Sequence, residues 1–389
     1  MAGPLAGIVV LDLSRALAGL HAAMMLGDMG ARVIKLEQPG GDESRYWGPP
    51  FAAPQAGGAG QVSTYFLSCN RNKESVTCDL RSEDGRKLLT LLAARADVLV
   101  ENFRPGVLDR FGFGTARLHE LNPRLVICSI TGFGHDGPDA QRPGYDQIMQ
   151  GEGGLMSVTG PDPDHPVRAG FSIADILAGV NAAAGIAAAL HERASTGRGR
   201  VVRTSLLAAM VGAHAYQGTR WTVAGEVPRA AGNHHPSITP YGAFRCRDGI
   251  IQLGIANEAQ WQRFAPLVGI DPADPAYRHN SLRVAAKDKL ISEIEAAFAA
   301  HGRKHWLALL AGAEIPAGSI RSIDEVYEWE QARSQGLLIS VDHAALGEIR
   351  LPGPALRFDG EPAGRHRAPP VLGEHDAAVR EWLDGDAGD

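Results

Sequence analysis

Cysteine is scarce in this chain of 389 residues, and the four present (Cys69, Cys78, Cys128 and Cys246) are scattered, with no C-x-x-C pair. That spacing sets up neither a disulfide framework nor a zinc ribbon, and it fits a reduced, cytoplasmic setting. Positive charge is not in excess: 38 Lys and Arg against 44 Asp and Glu leave a net charge of -6. A nucleic-acid binder would show a basic face, so nucleic acid is not an expected partner. The opening MAGPLAGIVVLDLS has no basic stretch and reaches an acid at Asp12, unlike a secretory signal. The Ala-rich run after Asp175 is broken by Asn181 and closes in His191, Glu192 and Arg193. It reads as a buried helix too short for a bilayer, and no membrane association is expected. Nucleotide fingerprints are missing as well. SRALAG, not G-x-G-x-x-G, follows the first apolar run, FGFGTA from Phe111 follows no strand directly, and there is no Walker-type loop.

What is present is a soluble globular composition, 44% hydrophobic and 21% charged, in a chain long enough for two domains. The first half alternates strand and helix. Apolar runs at Ile8 to Leu13, Arg32 to Glu37, Asp97 to Phe103 and Leu125 to Phe133 are separated by helical stretches, one of them opened by a capping serine, Ser82. Strands joined by helical crossovers predict an α/β fold with a doubly wound parallel sheet. Ligands of such sheets bind beyond the carboxyl ends of the strands. The segments there, Ser14–Arg15, Gln38–Arg45, Asn102–Arg110 and Thr131–Arg142, each contain arginine. Residues 215 to 240 are rich in Gly and Pro. After them, two short strands around Asp248–Gly249 and two helical stretches predict a smaller α+β domain over 225–330. Residues 1–215 form the large domain, with linkers at 215–225 and 330–335. The tail has a strand, Pro-rich coil and a terminal helix that composition alone does not place. No internal repeat is present.

The stretch from Arg142 to Gly179 carries the most chemistry. Asp175 stands where an irregular Gly- and Pro-rich segment turns into an apolar helix. One reading makes it an N-cap, its carboxylate accepting free backbone N–H groups. The other sends the carboxylate into a pocket lined by the loop. Gly151, Gly153 and Gly154 lie just upstream, and backbone N–H groups of glycines can closely approach a developing oxyanion. His135 is read as a loop histidine. His234, His235, Ser237 and Tyr241 sit in a polar loop and are candidate acid-binding groups. Adjacent side chains diverge, so His234 and His235 make a poor metal pair, and His301 with His305 lacks a third ligand. No metal is expected.

Taken in order, VLDLSRALAG, GARVIKLEQPGGDESRYWGPPF, NRNKESVTCDL, DVLVENFRPGVLDRFG, SITGFGHDGP, RPGYDQIMQGEGGLMSVTG, IADILAG, ERASTGRGRVV and PPVLGEH resemble the class III CoA-transferase family from residue 5 to about residue 375. That family holds the formyl-CoA and carnitine CoA-transferases and also the α-methylacyl-CoA racemases. The resemblance implies a Rossmann-like large domain built from both chain ends, 1–215 and 335–389, with the small domain between them. It also implies a homodimer of interlocked subunits. By the same resemblance, Asp175 is the nucleophile that carries a covalent aspartyl-CoA thioester. CoA contacts fall on Arg15, Leu17, Ala18, Gln38, Asp79, Leu80, Arg81, Asn102, Phe103, Arg104, Arg110, Arg142, Gly144, Tyr145 and Asp146, with Lys73 a weaker candidate. Arginine forks suit the phosphates of CoA. Some members carry His and Gln where this chain has Arg15 and Leu17, and Arg where it has Gln38.

Residue chemistry separates the branches. Racemases use a His in a Gly-His-Asp triplet where this chain has Gly144-Tyr145-Asp146, and tyrosine is a poor base near neutral pH. The expected activity is therefore CoA transfer from an acyl-CoA to a small carboxylic acid, with no permanently bound cofactor and CoA thioesters as substrates. A racemase and a non-catalytic CoA-binding protein are the alternatives. The formyl-CoA branch has a run of glycines over its site. The loop from Gly232 to Gly242 has none, which argues against formate or oxalate.

Overall fold

Hydrophobic alternation builds the sheet. A computed structural model describes residues 3–54, 61–362 and 366–385. Its strands are β1 (Val9–Asp12), β2 (Arg32–Glu37), β3 (Lys73–Thr77), β4 (Val98–Glu101), β5 (Val126–Thr131) and β6 (Val201–Ser205). All pair in parallel, in the order β3-β2-β1-β4-β5-β6. Successive side chains point to opposite faces of a strand. Val10, Val98, Val100, Val126 and Cys128 accordingly enter one hydrophobic cluster, and Leu11, Leu99 and Ile127 the other. Both faces are covered by helices, the doubly wound arrangement.

On the first face lie α1 (Ala18–Asp28) and the helix that follows the Arg142 loop. On the second lies α2 (Glu83–Arg95), joined by Val379 and Leu383 of the terminal helix Asp376–Gly385. The tail thus returns to the sheet, where the Asp376 carboxylate accepts the Thr77 backbone N–H at 2.7 Å.

Two strands, β3 and β6, escape the hydrophobic pattern because most of their residues are polar. β3 begins Lys73-Glu74-Ser75, all buried. Lys73 Nζ donates to Asp12 at 2.8 Å and to the Leu20 carbonyl at 2.9 Å, while Lys35 donates to Asp42 at 2.9 Å. Glu37 accepts from Arg45 and from Ser75. Buried charge is tolerated only when paired and hydrogen-bonded, and here the partners come from neighbouring strands, from α1 and from the segment that follows β2.

The chain divides into two compact units. The larger contains Met1–Leu155, Ala169–Gly225 and the chain from Trp329 onward; the smaller contains Met156–Arg168 and Glu226–Glu328. The sequence reading left 156–168 in the large domain and 215–225 as linker. In the structure the first belongs to the smaller unit, where Ala230 N–H donates to Ser157 O at 3.1 Å. The second is mostly helix, Ala215–Thr222, in the larger unit. The smaller unit has an antiparallel sheet of β7 (Tyr241–Cys246), β8 (Gly249–Gly254) and β9 (Ala317–Ser319), closed by an aromatic core of Phe244, Trp261, Phe264, Phe298 and Trp306.

Candidate active site

The Arg142 loop leads into α3 (Asp146–Glu152), and Asp175 lies in α4 (Ile173–Thr196). At 24 residues α4 is long and apolar enough to cross a membrane by length and composition, contrary to the sequence expectation of a run too short to do so. Its Ala174, Ala178, Ala182, Ala183 and Ile186 are buried in the first core cluster. Gly179 lets α1 approach, since a Cβ there would sit 2.7 Å from the Ala18 carbonyl oxygen.

Asp175 is not the cap of α4. It is the third helical residue, and the cap position, Ser172, makes no side-chain capping bond. The N–H groups of the first turn are met instead by Asp146 of α3, whose Oδ1 accepts from Ala174 at 2.8 Å and from Asp175 at 3.4 Å. Among the described residues nothing hydrogen-bonds the Asp175 carboxylate oxygens. Burial first, and the Asp146 charge second, push that carboxyl up to about 7. Tyr65, packed edge-on to Trp47, is its phenolic neighbour; burial and then the Asp175 charge hold the phenol above the ordinary tyrosine range. Tyr65 had no signal in the sequence, because it reaches the site from a short helix, Thr64–Cys69, far along the chain.

Asp175 opens into a cavity of about 500 Å³ at the carboxyl ends of β1, β4 and β5. Of the expected CoA contacts, Arg15, Ala18, Asn102, Phe103, Arg104, Arg142, Gly144 and Tyr145 line it. Gln38, Asp79, Leu80 and Arg81 line a second cavity of about 160 Å³, which shares Arg15, Phe103 and Phe111 with the first. Arg15 lies over the Phe103 ring at 5.4 Å, and neither it nor Arg104 has a carboxylate partner among the described residues. Arg142 is tied to Glu152 at 2.6 Å and to Asp139 at 3.3 Å. Asn102 uses its amide as a clamp, accepting the Arg15 N–H at 2.8 Å and donating to the Arg15 carbonyl at 2.7 Å. The clamp holds the backbone of Arg15 alone, and the next residue, Ala16, has φ 62° in the left-handed region. Gly132 and Gly144 form one wall by backbone contact: a Cβ on either would come within 3.0 Å of the other's Cα.

The other candidates do not line either cavity. Leu17 faces a separate apolar groove with Met24, Met25 and Phe171. Arg110 lines neither cavity, although its neighbour Phe111 lines both. Lys73 is buried against Asp12, and Asp146 is engaged as the helix cap. The Gly153 and Gly154 N–H groups are spent on the Met149 and Gly151 carbonyls, while Gly151 is inside α3, so the three are not free oxyanion donors. His135 bonds Ser129 Oγ at 2.8 Å. In the smaller unit His235 stacks on Tyr241 at 5.4 Å and accepts the Ser237 N–H, and His234 packs edge-on against Phe244. His301 stacks on His305 at 4.0 Å, and no group of three metal-ligating side chains occurs among the described residues.

A half-buried, unspent aspartate facing an arginine-lined cavity is one half of the assignment. The other is similarity: the model of CoA-transferase family III matches residues 5–376. The chain belongs to this family. It is 38% identical over 375 residues to the succinyl-CoA:glutarate CoA-transferase of Mus musculus, covering 96% of this chain and 84% of that protein. With the succinate–glutarate CoA-transferase of Agrobacterium fabrum it shares 37% identity over 387 residues, 98% of this chain and 96% of that one. A crystal structure of a CAIB/BAIF family protein from Brucella suis superposes with a TM-score of 0.87 at 38% identity, over 99% of this chain and 100% of that one. As a family III member the protein is an enzyme of the CoA-transferase type, transferring CoA between an acyl-CoA and a carboxylic acid.

Proposed function

We propose that Asp175 is the nucleophile of a two-stage CoA transfer, with succinyl-CoA as donor and a glutarate-like dicarboxylic acid as acceptor. The observation that carries the reading is a carboxylate excused from capping, free of hydrogen bonds and facing a cavity with two uncommitted arginines. The donor and acceptor follow from the names of the mouse and Agrobacterium relatives. A carboxylate nucleophile needs ionisation and placement rather than a general base. One Asp175 oxygen attacks the thioester carbonyl, and the C–S bond breaks to give a mixed anhydride and CoA thiolate. The thiolate attacks the aspartyl carbonyl, releasing succinate and leaving an aspartyl-CoA thioester. The acceptor carboxylate then attacks that thioester, and the returning thiolate takes the acyl group of the second anhydride, freeing Asp175.

Arg15 and Arg104 suit the anionic phosphates of CoA, and Gln38, Asp79 and Arg81 its adenosine end. A Rossmann-like, interlocked homodimer is part of the proposal. Its support in this chain is the apolar groove of about 700 Å³ along α1 and α4, where Phe171, Val180, Leu356 and Phe358 are exposed. The four cysteines form no disulfide, which supports a reducing, cytoplasmic setting.

Intact-protein mass spectrometry tests the chemistry. Wild type mixed with succinyl-CoA and no acceptor gains CoA less water, and glutarate discharges it as glutaryl-CoA. Asp175→Asn forms the adduct at least about a thousandfold more slowly. Equal adduct on both proteins would end the Asp175 assignment. Deuterium entering the acyl α-carbon in heavy water, without CoA transfer, would replace it with racemase chemistry.

A further inference from the structure

The segment that carries Asp175 is held from outside by one acid and its amide partner. Asp146 Oδ1 takes the N–H groups of Ala174 and Asp175, and its Oδ2 accepts from Gln150 Nε2 at 2.7 Å. Gln150 is fully buried and wholly committed: Nε2 also donates to the Phe171 carbonyl at 3.2 Å, and Oε1 accepts the Ala169 N–H at 2.8 Å. One turn of α3 therefore bonds the 169–175 segment at four backbone positions. An acid with both oxygens so occupied has little to offer an anionic ligand.

A carboxylate in the first turn of a helix is ordinarily stabilised by the N-terminal dipole, which makes it a weaker nucleophile. Here a second negative charge sits on the same N–H groups, so the dipole is already answered when Asp175 ionises.

We propose that Asp146 is the positioning residue of the transfer: it aims Asp175 by fixing the first turn of α4, and its charge keeps that carboxylate basic enough to attack a thioester. The inference rests on Asp175 being the reacting carboxylate. The other ionisable groups facing it are Tyr65, from the Thr64–Cys69 helix, and Arg15, Glu43, Arg104 and Arg142 around the cavity. None of these bonds the first turn of α4.

Three variants separate the parts of the idea. Asp146→Asn keeps an oxygen for the helix N–H groups but removes the charge. Asp146→Ala removes both. Gln150→Met releases the clamp while leaving the charge. Proteins labelled with carboxyl-¹³C aspartate are titrated by NMR, the Asp175 signal being the one lost in Asp175→Asn. The rate of adduct formation with succinyl-CoA is followed against pH. In Asp146→Asn the Asp175 midpoint falls by at least about half a pH unit, and the rate profile shifts by the same amount, with a lower plateau. Asp146→Ala loses more than about tenfold at every pH. Gln150→Met slows the adduct several-fold with the midpoint unmoved. An unshifted midpoint in a folded Asp146→Asn overturns the inference. If that variant does not fold, an unchanged rate in Gln150→Met overturns it instead. A wild type that forms no adduct ends the nucleophile reading and this inference together, whereas adduct formation identical in wild type and Asp146→Asn ends only this one.

Discussion

Asp175 is a residue the fold tolerates rather than favours. Its carboxyl ionises near 7 in the folded protein, because burial and then Asp146 disfavour the charge, against about 4 in an unfolded chain. The folded state therefore binds the proton more tightly. The stability that goes with it is fully present below the unfolded value and is lost as pH rises through 7. Asparagine does not ionise, so Asp175→Asn raises the melting temperature at pH 8, and the gain shrinks toward pH 5. Differential scanning calorimetry at the two pH values checks this, and an equal gain at both would contradict it. For the proposed reaction the sign is opposite: adduct formation by wild type is expected to fall about tenfold per unit as pH drops below 7, since in that scheme only the carboxylate attacks. At this scale the sequence singled out Asp175 and offered two roles for it, cap or pocket carboxylate, and the structure removes the first. Nothing near Asp175 in the chain says that another acid takes the cap, because Asp146 is 28 residues before Ala174.

Elements place these residues by close backbone contact and by paired charge. The wall made by Gly132 and Gly144 has no room for a methyl group. Gly144→Ala forces the loop from Arg142 to Tyr145 off its seat, at about 1–3 kcal/mol in stability. A higher KM for acyl-CoA goes with it, and chemical denaturation with steady-state kinetics measures both. β3 was invisible to pattern reading because its buried residues are ionic. Its Lys73 meets Asp12 from 61 residues away. Removing one partner of such a pair strands the other, so Lys73→Met destabilises by about 3–5 kcal/mol, read from urea unfolding. Lys73 therefore serves the sheet rather than CoA. Asn102 was expected at the ligand and lines the cavity, but its amide holds the Arg15 backbone, just before the left-handed Ala16.

At the scale of the whole molecule, Phe171, Val180, Leu356 and Phe358 leave apolar surface exposed along the groove beside α1 and α4, the face the proposed dimer would cover. The proposed interlocked dimer makes a definite prediction: native mass spectrometry gives twice the 41.3 kDa chain mass, and dilution to nanomolar concentration yields no monomer short of unfolding. A dimer that dissociates freely would contradict interlocking.

The sequence by itself determined the strand–helix alternation, the arginine-bearing loops after the strands and the acid at the start of α4. Each is a local signal with a period of two or 3.6 residues, or a short motif. Tertiary structure alone decided that Asp146 caps α4, that Lys73 and Arg110 stay out of the cavities, that Gly153 and Gly154 spend their N–H groups internally, and that residues 156–168 join the smaller unit. Those outcomes depend on burial and on hydrogen bonds between segments far apart in the chain. A carboxylate's role is set by whatever satisfies its neighbours, and that is settled only when the chain has folded.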